Sequence, residues 1–227
     1  MDTFYYSGGR AVARAGDRQD CHEFLADFAG NSLAVLSVPG SPRFAPEPAG
    51  YNVVMIRVEQ VLDSWRTIRQ DTAAAVEDFP AGELDYRPTP EVSTFREIAR
   101  NVLDASDGLI GMLLSGDENF NSGDFRARLK THMRALPPTE GAAGATELAN
   151  ALRESVAQRT EQLAAQSPEF FAQLITRMDG QQVTRLEMVQ TVKEHELTHR
   201  SQLFMYLRLK GIVPATTRRR LAKQAAK

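Results

Sequence analysis

The strongest constraint on this chain is an apolar stripe at helical spacing. Met55, Val58, Leu62, Trp65, Ile68, Thr72, Ala75 and Phe79 recur at steps of three and four residues, which places them on one face of a helix. The stretch "PAGELDYRPTPEV", with three prolines, ends it. Thr94 and Glu97 then form a T-x-x-E capping box, in which each side chain satisfies a backbone N–H of the other's segment, so a second helix is expected from there. Its inward stripe is Ile98, Asn101, Val102, Ala105, Leu109, Met112 and Leu113, a single amide in an apolar row.

A loop at "SGDENFNSGD" leads to a short amphipathic piece, "FRARLKTHMRAL", where His132 sits between Lys130 and Arg134 on an expected solvated face. "PPTEGAAGA" reads as its terminator. A third long helix is expected from about Thr146, with Leu148, Leu152, Val156 and Leu163 inward. Ser167 and Pro168 make an N-cap and first-turn pair, and Asp179-Gly180 is a hairpin-turn signal. Thr184 with Glu187 forms another capping box, opening a last helix that Gly211 stops, with Pro214 just beyond. Four long helices and no run of strands predict an all-α four-helix bundle.

Residues 39–50, "PGSPRFAPEPAG", carry four prolines and two glycines and mark a boundary. The expected organisation is an irregular N-terminal extension over 1–50, the bundle over 51–214 and a basic tail over 215–227. Within the extension, "CHEFLADFAG" is compatible with a short helix and "SLAVLSV" with a short strand. The tail, with Arg218, Arg219, Arg220, Lys223 and Lys227, reads as a solvated, frayed terminus.

A formal charge of -2 lacks the concentrated positive surface that phosphate backbones require, so no nucleic-acid partner is expected. Cys21 is the sole cysteine, which excludes an intrachain disulfide and a cysteine zinc knuckle. The start has no apolar h-region, and no run of about 18 apolar residues occurs. The expectation is a cytoplasmic protein without a membrane partner.

The chemistry concentrates in "KEHELTHRSQ", residues 193–202. Met188, Val192, His195, His199, Leu203 and Tyr206 share one stripe, since i and i+4 lie only about 40° apart around a helix. Two stacked imidazoles pointing inward would repel if both were charged. Neutral rings converging on a cation resolve this, and so does a buried hydrogen-bonded pair. HELTH matches the H-E-x-x-H of zinc proteases, but their third ligand comes from downstream, and residues 200–227 hold no His, Asp or Glu. Glu196-x-x-His199 also fits the E-x-x-H of ferritin-like carboxylate sites, which need that motif twice, and it occurs once.

"HELTHRSQLFMYLRLKGIVP" resembles the terminal helix of the DinB-like (damage-inducible, YfiT-like) superfamily, in which H-x-x-x-H-R-x-Q precedes Y-L-R and a closing G-x-x-P. "MIRVEQVLDSWRTIRQDTAAAVEDFPAGELDYRP" resembles its first helix and loop, "STFREIARNVLDA" its second helix and "MDGQQVTRLEMVQTVKEHE" its entry into the fourth. The resemblance covers about Met55 to Pro214. It implies an up-down-down-up bundle and one divalent metal, such as zinc or nickel, held by three histidines, one from helix two and two from helix four.

The matching positions are His195 and His199. Asn101 stands where the first histidine belongs, and a neutral amide oxygen is a poor donor to nickel or zinc. The resemblance therefore implies a degenerate metal site, in which Asn101 coordinates weakly, Glu97 or Asp104 substitutes, or the metal is lost. It also places Arg200 and Gln202 at the bundle mouth as substrate-binding candidates, whereas Trp65 reads as core. Relatives by resemblance include thiol-dependent S-transferases and a mycothiol-dependent maleylpyruvate isomerase. This implies metal activation of a low-molecular-weight thiol, or hydrolysis, acting on a small-molecule substrate. The alternative is a non-catalytic bundle, a homodimer in stress response, with Asn101, His195 and His199 as a buried hydrogen-bond set.

Overall fold

The computed structural model describes residues 57–136 and 141–226. Helix α1 spans Val58–Asp78, a 3₁₀ turn follows at Ala81–Glu83, and α2 spans Phe95–Leu114. The short α3, Phe125–His132, leads to α4, Gly141–Ala164, and a single turn α5, Pro168–Ala172. Strands β1 (Leu174–Thr176) and β2 (Gln182–Thr184) form an antiparallel hairpin with Ile175 opposite Val183. The last long helix, α6, is Arg185–Leu209, and α7, Ala215–Ala225, closes the described chain.

Side-chain chemistry places these boundaries. Both capping boxes form: Thr94 accepts from the Glu97 N–H while Glu97 accepts from the Thr94 N–H, and Thr184 with Glu187 repeats the arrangement. Ser167 caps α5 with Pro168 in its first turn. Gly180 at φ 83° turns the hairpin and Gly211 at φ 73° ends α6, both in the left-handed region where a Cβ is costly.

Four long helices enclose the core in the ring order α1, α4, α2, α6, so α1 and α2, consecutive in sequence, lie across the ring from each other. Arg66 meets Thr160 and Arg153 meets Glu77, so α1 and α4 run antiparallel. The Tyr206 hydroxyl reaches the Ser93 carbonyl while His199 meets Asn101, so α2 and α6 are antiparallel too. Trp65 meets Glu196 and Asp71 meets Arg200, which makes α1 and α6 parallel. The result is the up-down-down-up bundle expected. The stripe residues from Leu62 to Phe79 and from Ile98 to Leu113 are buried, except that Asn101 is half-buried. At one end Phe79 stacks on Phe95 with ring centroids 3.9 Å apart.

Three local expectations change. Helix α4 begins at Gly141 rather than near Thr146, because the alanines of "GAAGA" are the best helix formers and Ala145 gains burial. His132 is half-buried rather than solvated, since Gly108 and Gly111 let α3 lie close on α2: a Cβ at Gly111 would come within 2.5 Å of the His132 Cβ. The basic tail is helical over Ala215–Ala225, with Arg218 on Asp78 and Arg219 on Asp71. The readings for residues 1–50, and for Met55, fall outside the described residues. No helix among the described residues is long and apolar enough to cross a membrane.

Candidate metal centre

Successive residues of a helix diverge by about 100°, so His195, Glu196 and His199 of α6 serve two different seams. His195 and His199 face α2. Their rings stand edge to face, centroids 4.4 Å apart and 78° between planes, with the two Nε2 atoms 3.1 Å apart. Asn101 brings its amide nitrogen to 3.2 Å from the same His199 Nε2. The three side chains singled out in the sequence thus meet at the α2–α6 seam.

Gln202, one turn beyond, places Oε1 2.7 Å from His199 Nδ1. An amide oxygen only accepts, so Nδ1 carries the proton and donates it, and Nε2 keeps its lone pair toward His195 and Asn101. Burial, the facing His199 ring and the Arg69 charge push His195 down to about 3. Burial also lowers His199, partly offset by the hydrogen bond to Gln202. Both imidazoles are therefore neutral at physiological pH, as ligands must be.

A cation fits the donors by a simple measure. Two imidazole nitrogens at 2.0–2.1 Å from one ion lie about 2.8–3.0 Å apart at an octahedral angle and about 3.3–3.4 Å apart at a tetrahedral one, and the Nε2 pair, at 3.1 Å, falls between the two. The single lone pair of His199 Nε2 is approached from two sides, by His195 and by Asn101, which a hydrogen bond alone uses poorly. Turning the Asn101 amide, a choice that only its hydrogen bonds decide, presents Oδ1 in place of Nδ2. Among the described residues no group of three or more His, Cys, Asp or Glu could hold a metal.

The carboxylates considered as substitutes are occupied. Glu97 accepts from the Thr94 backbone N–H at 2.7 Å, and Asp104 takes the Arg100 guanidinium at 2.7 Å. Arg200 turns to the other side of α6, 3.4 Å from Asp71 and over the Phe204 ring. Only Gln202 of the two mouth candidates reaches the histidines.

Glu196 faces α1 instead of the imidazoles. It accepts from Trp65 Nε1 at 2.7 Å, Arg69 Nε at 2.8 Å and Thr72 Oγ1 at 2.8 Å, all buried. Arg69 also donates to the Leu152 carbonyl and to Ser106 Oγ, so its guanidinium spans three helices from the centre of the bundle. A carboxylate so engaged is neither a general base nor a ligand, which removes HELTH from the protease pattern on geometric grounds. Trp65 is core, as expected, but its indole N–H belongs to this network. The inward stripe includes Thr72 without a partner for its hydroxyl and leaves out Arg69, although Arg69, one turn beyond Trp65, is the available sign.

The DinB family model matches residues 53–226. A crystal structure of a DinB-like protein from Bacillus subtilis superposes with a TM-score of 0.53 at 18% identity, covering 67% of this chain and 92% of that one. No curated protein sequence matches the chain. With the bundle, the α2–α6 histidine seam and a family match across residues 53–226, the chain belongs to the DinB family.

Proposed function

We propose that His195, His199 and Asn101 form a weak divalent-cation centre, and that the protein is a metal-dependent enzyme acting on a small molecule by thiol transfer or hydrolysis. The observation that carries this reading is the 3.1 Å spacing of two neutral Nε2 atoms, one lone pair of which Gln202 aims from behind. When bound with two or three protein donors, a divalent ion has open positions at which it lowers the pKa of a water or a low-molecular-weight thiol. The chain's own contribution is positional. Gln202 fixes the His199 tautomer, burial and Arg69 keep His195 unprotonated, and the Glu196 network anchors the helix that carries both rings.

The amide at position 101 makes the centre weak, since nickel and zinc favour imidazole over an amide oxygen. Asn101→His is expected to raise zinc affinity at least tenfold, and His195→Ala to abolish uptake. Metal analysis and calorimetric titration of protein purified without a nickel column check both. Stoichiometric uptake by the native protein supports the enzyme reading; uptake by Asn101→His alone overturns it.

The second reading is a non-catalytic, dimeric bundle protein in which the three side chains are a hydrogen-bond set. The 3.2 Å approach of Asn101 Nδ2 to His199 favours it. It requires that zinc leave the thermal midpoint of the native protein unchanged and that the protein sediment as a dimer.

A further inference from the structure

Two arginines are buried among the described residues, Arg69 at 0% and Arg185 at 5% exposure. They are treated differently by the fold. The Arg69 guanidinium is engaged by Glu196, the Leu152 carbonyl and Ser106. That of Arg185 donates no hydrogen bond to any of the described residues: Nε is sealed from water and meets no acceptor, while the two Nη atoms keep access to solvent. Buried polar groups, charged ones above all, are nearly always hydrogen-bonded, so this guanidinium calls for an acceptor that the bundle does not provide.

Its place in the fold adds to that need. Arg185 is the first residue of α6, a helix of 25 residues, whose N-terminus carries a partial positive charge of its own. The nearest acidic residue of that turn, Glu187, is turned to the Thr184 N–H and hydroxyl. Phe170 of α5 fixes the guanidinium from one side, with its ring centroid 4.3 Å from the Arg185 Cζ. A ring face attracts the cation but leaves the N–H edge unused. Gln173 gives its carbonyl to the Arg185 backbone N–H at 3.0 Å and its side-chain amide to Glu118 at 2.5 Å. Glu118, in the loop before α3, therefore acts on Arg185 only through its charge, which partly opposes the lowering of the Arg185 pKa by burial.

We propose that Arg185 is an anion-binding residue, and that the end of the bundle formed by the start of α6, α5 and the Glu118 loop takes a small molecule by its carboxylate or phosphate group. Both groups present paired oxygens that match the fork of a guanidinium. The anion would meet the Nη edge, which water reaches, while Phe170 holds the plane of the fork in place. This site is separate from the histidine seam. His195 lies ten residues further along α6, about 15 Å at 1.5 Å per residue, and the fully buried Met188 and Val192 fill the stripe between them.

The test is a titration of the full-length, metal-free protein, labelled with nitrogen-15, with inorganic phosphate and separately with benzoate at constant ionic strength. Nuclear magnetic resonance follows the Arg185 Nε–H signal, assigned by its loss in Arg185→Lys, and the backbone amides of residues 184–187. A saturable shift of these signals is expected with at least one probe. Tighter phosphate binding would assign the site to phosphorylated molecules, and tighter benzoate binding to organic acids. Arg185→Lys keeps the charge but not the fork, so affinity should fall roughly tenfold or more. Glu118→Gln removes a like charge beside the anion and should raise affinity roughly threefold. Amide signals elsewhere that match the parent confirm that both variants fold. Shifts that never saturate, equal affinity in Arg185→Lys, or binding that appears only in Glu118→Gln would each overturn the proposal, the last by making Glu118 the internal partner of Arg185.

Discussion

His195 holds its imidazole where a proton is strongly disfavoured, and this carries a cost in acid. Above about pH 6.5 the ring is neutral in both folded and unfolded chains and contributes no pH dependence. Below that, the unfolded chain takes up a proton that the folded one refuses until about pH 3, because of burial, His199 and Arg69. The unfolded state then binds more protons, so stability falls as pH falls, by up to about 1.4 kcal/mol per unit for this group. Urea titrations between pH 6.5 and 4 should show that slope, and His195→Asn should flatten it. The Glu196–Arg69 pair makes a second prediction. Glu196→Gln leaves the Arg69 charge buried without its counterion and should cost about 3–5 kcal/mol in urea unfolding, whereas Glu196→Leu with Arg69→Met should cost much less. The histidine pair was legible in the sequence because i and i+4 define one face whatever the neighbours. The partners of Glu196 were not, because they depend on how α6 is rotated against α1, more than a hundred residues away in the chain.

Helices were read best where their ends carry local chemistry. Both T-x-x-E boxes and the Ser167-Pro168 start form as the sequence implies, since a cap needs only residues within one turn. Helix α4 starts earlier than the glycines and prolines of "PPTEGAAGA" imply, because the alanines there favour helix. The approach of α3 to α2 was illegible, for it hangs on two missing side chains, Gly108 and Gly111, that leave room for Leu129 and His132. Gly111→Ala would put a methyl within 2.5 Å of the His132 Cβ, so α3 must move. The expected loss is about 1–3 kcal/mol by overpacking, with faster amide exchange over residues 125–132 as the specific sign. Gly82→Ala, whose Cβ meets nothing within 4 Å, is the control.

For the whole molecule, the helix count and the exclusion of a run of strands were enough to establish the bundle class, but the ring order was not derivable from periodicity. A stripe says which face is inward, not which neighbour it meets. The single tryptophan is fully buried at the centre of this ring and bonded to α6, so its fluorescence reports on the collapsed core. Its emission change and the loss of far-ultraviolet ellipticity are expected to coincide in urea, as for one cooperative unit. A helical signal outlasting the tryptophan signal would show that helices persist after the ring has opened.

The diagonal placement of α1 and α2 has a consequence for a chain emerging residue by residue from a ribosome. The first two long helices among the described residues cannot satisfy each other as a hairpin, because their flanking partners are α4 and α6. Arg69 in particular leaves the exit tunnel some 127 positions before the carboxylate that neutralises it. At translation speeds of about 5–20 residues per second, the nascent apolar faces wait on the order of ten seconds for their partners, an interval in which a holding chaperone would find them.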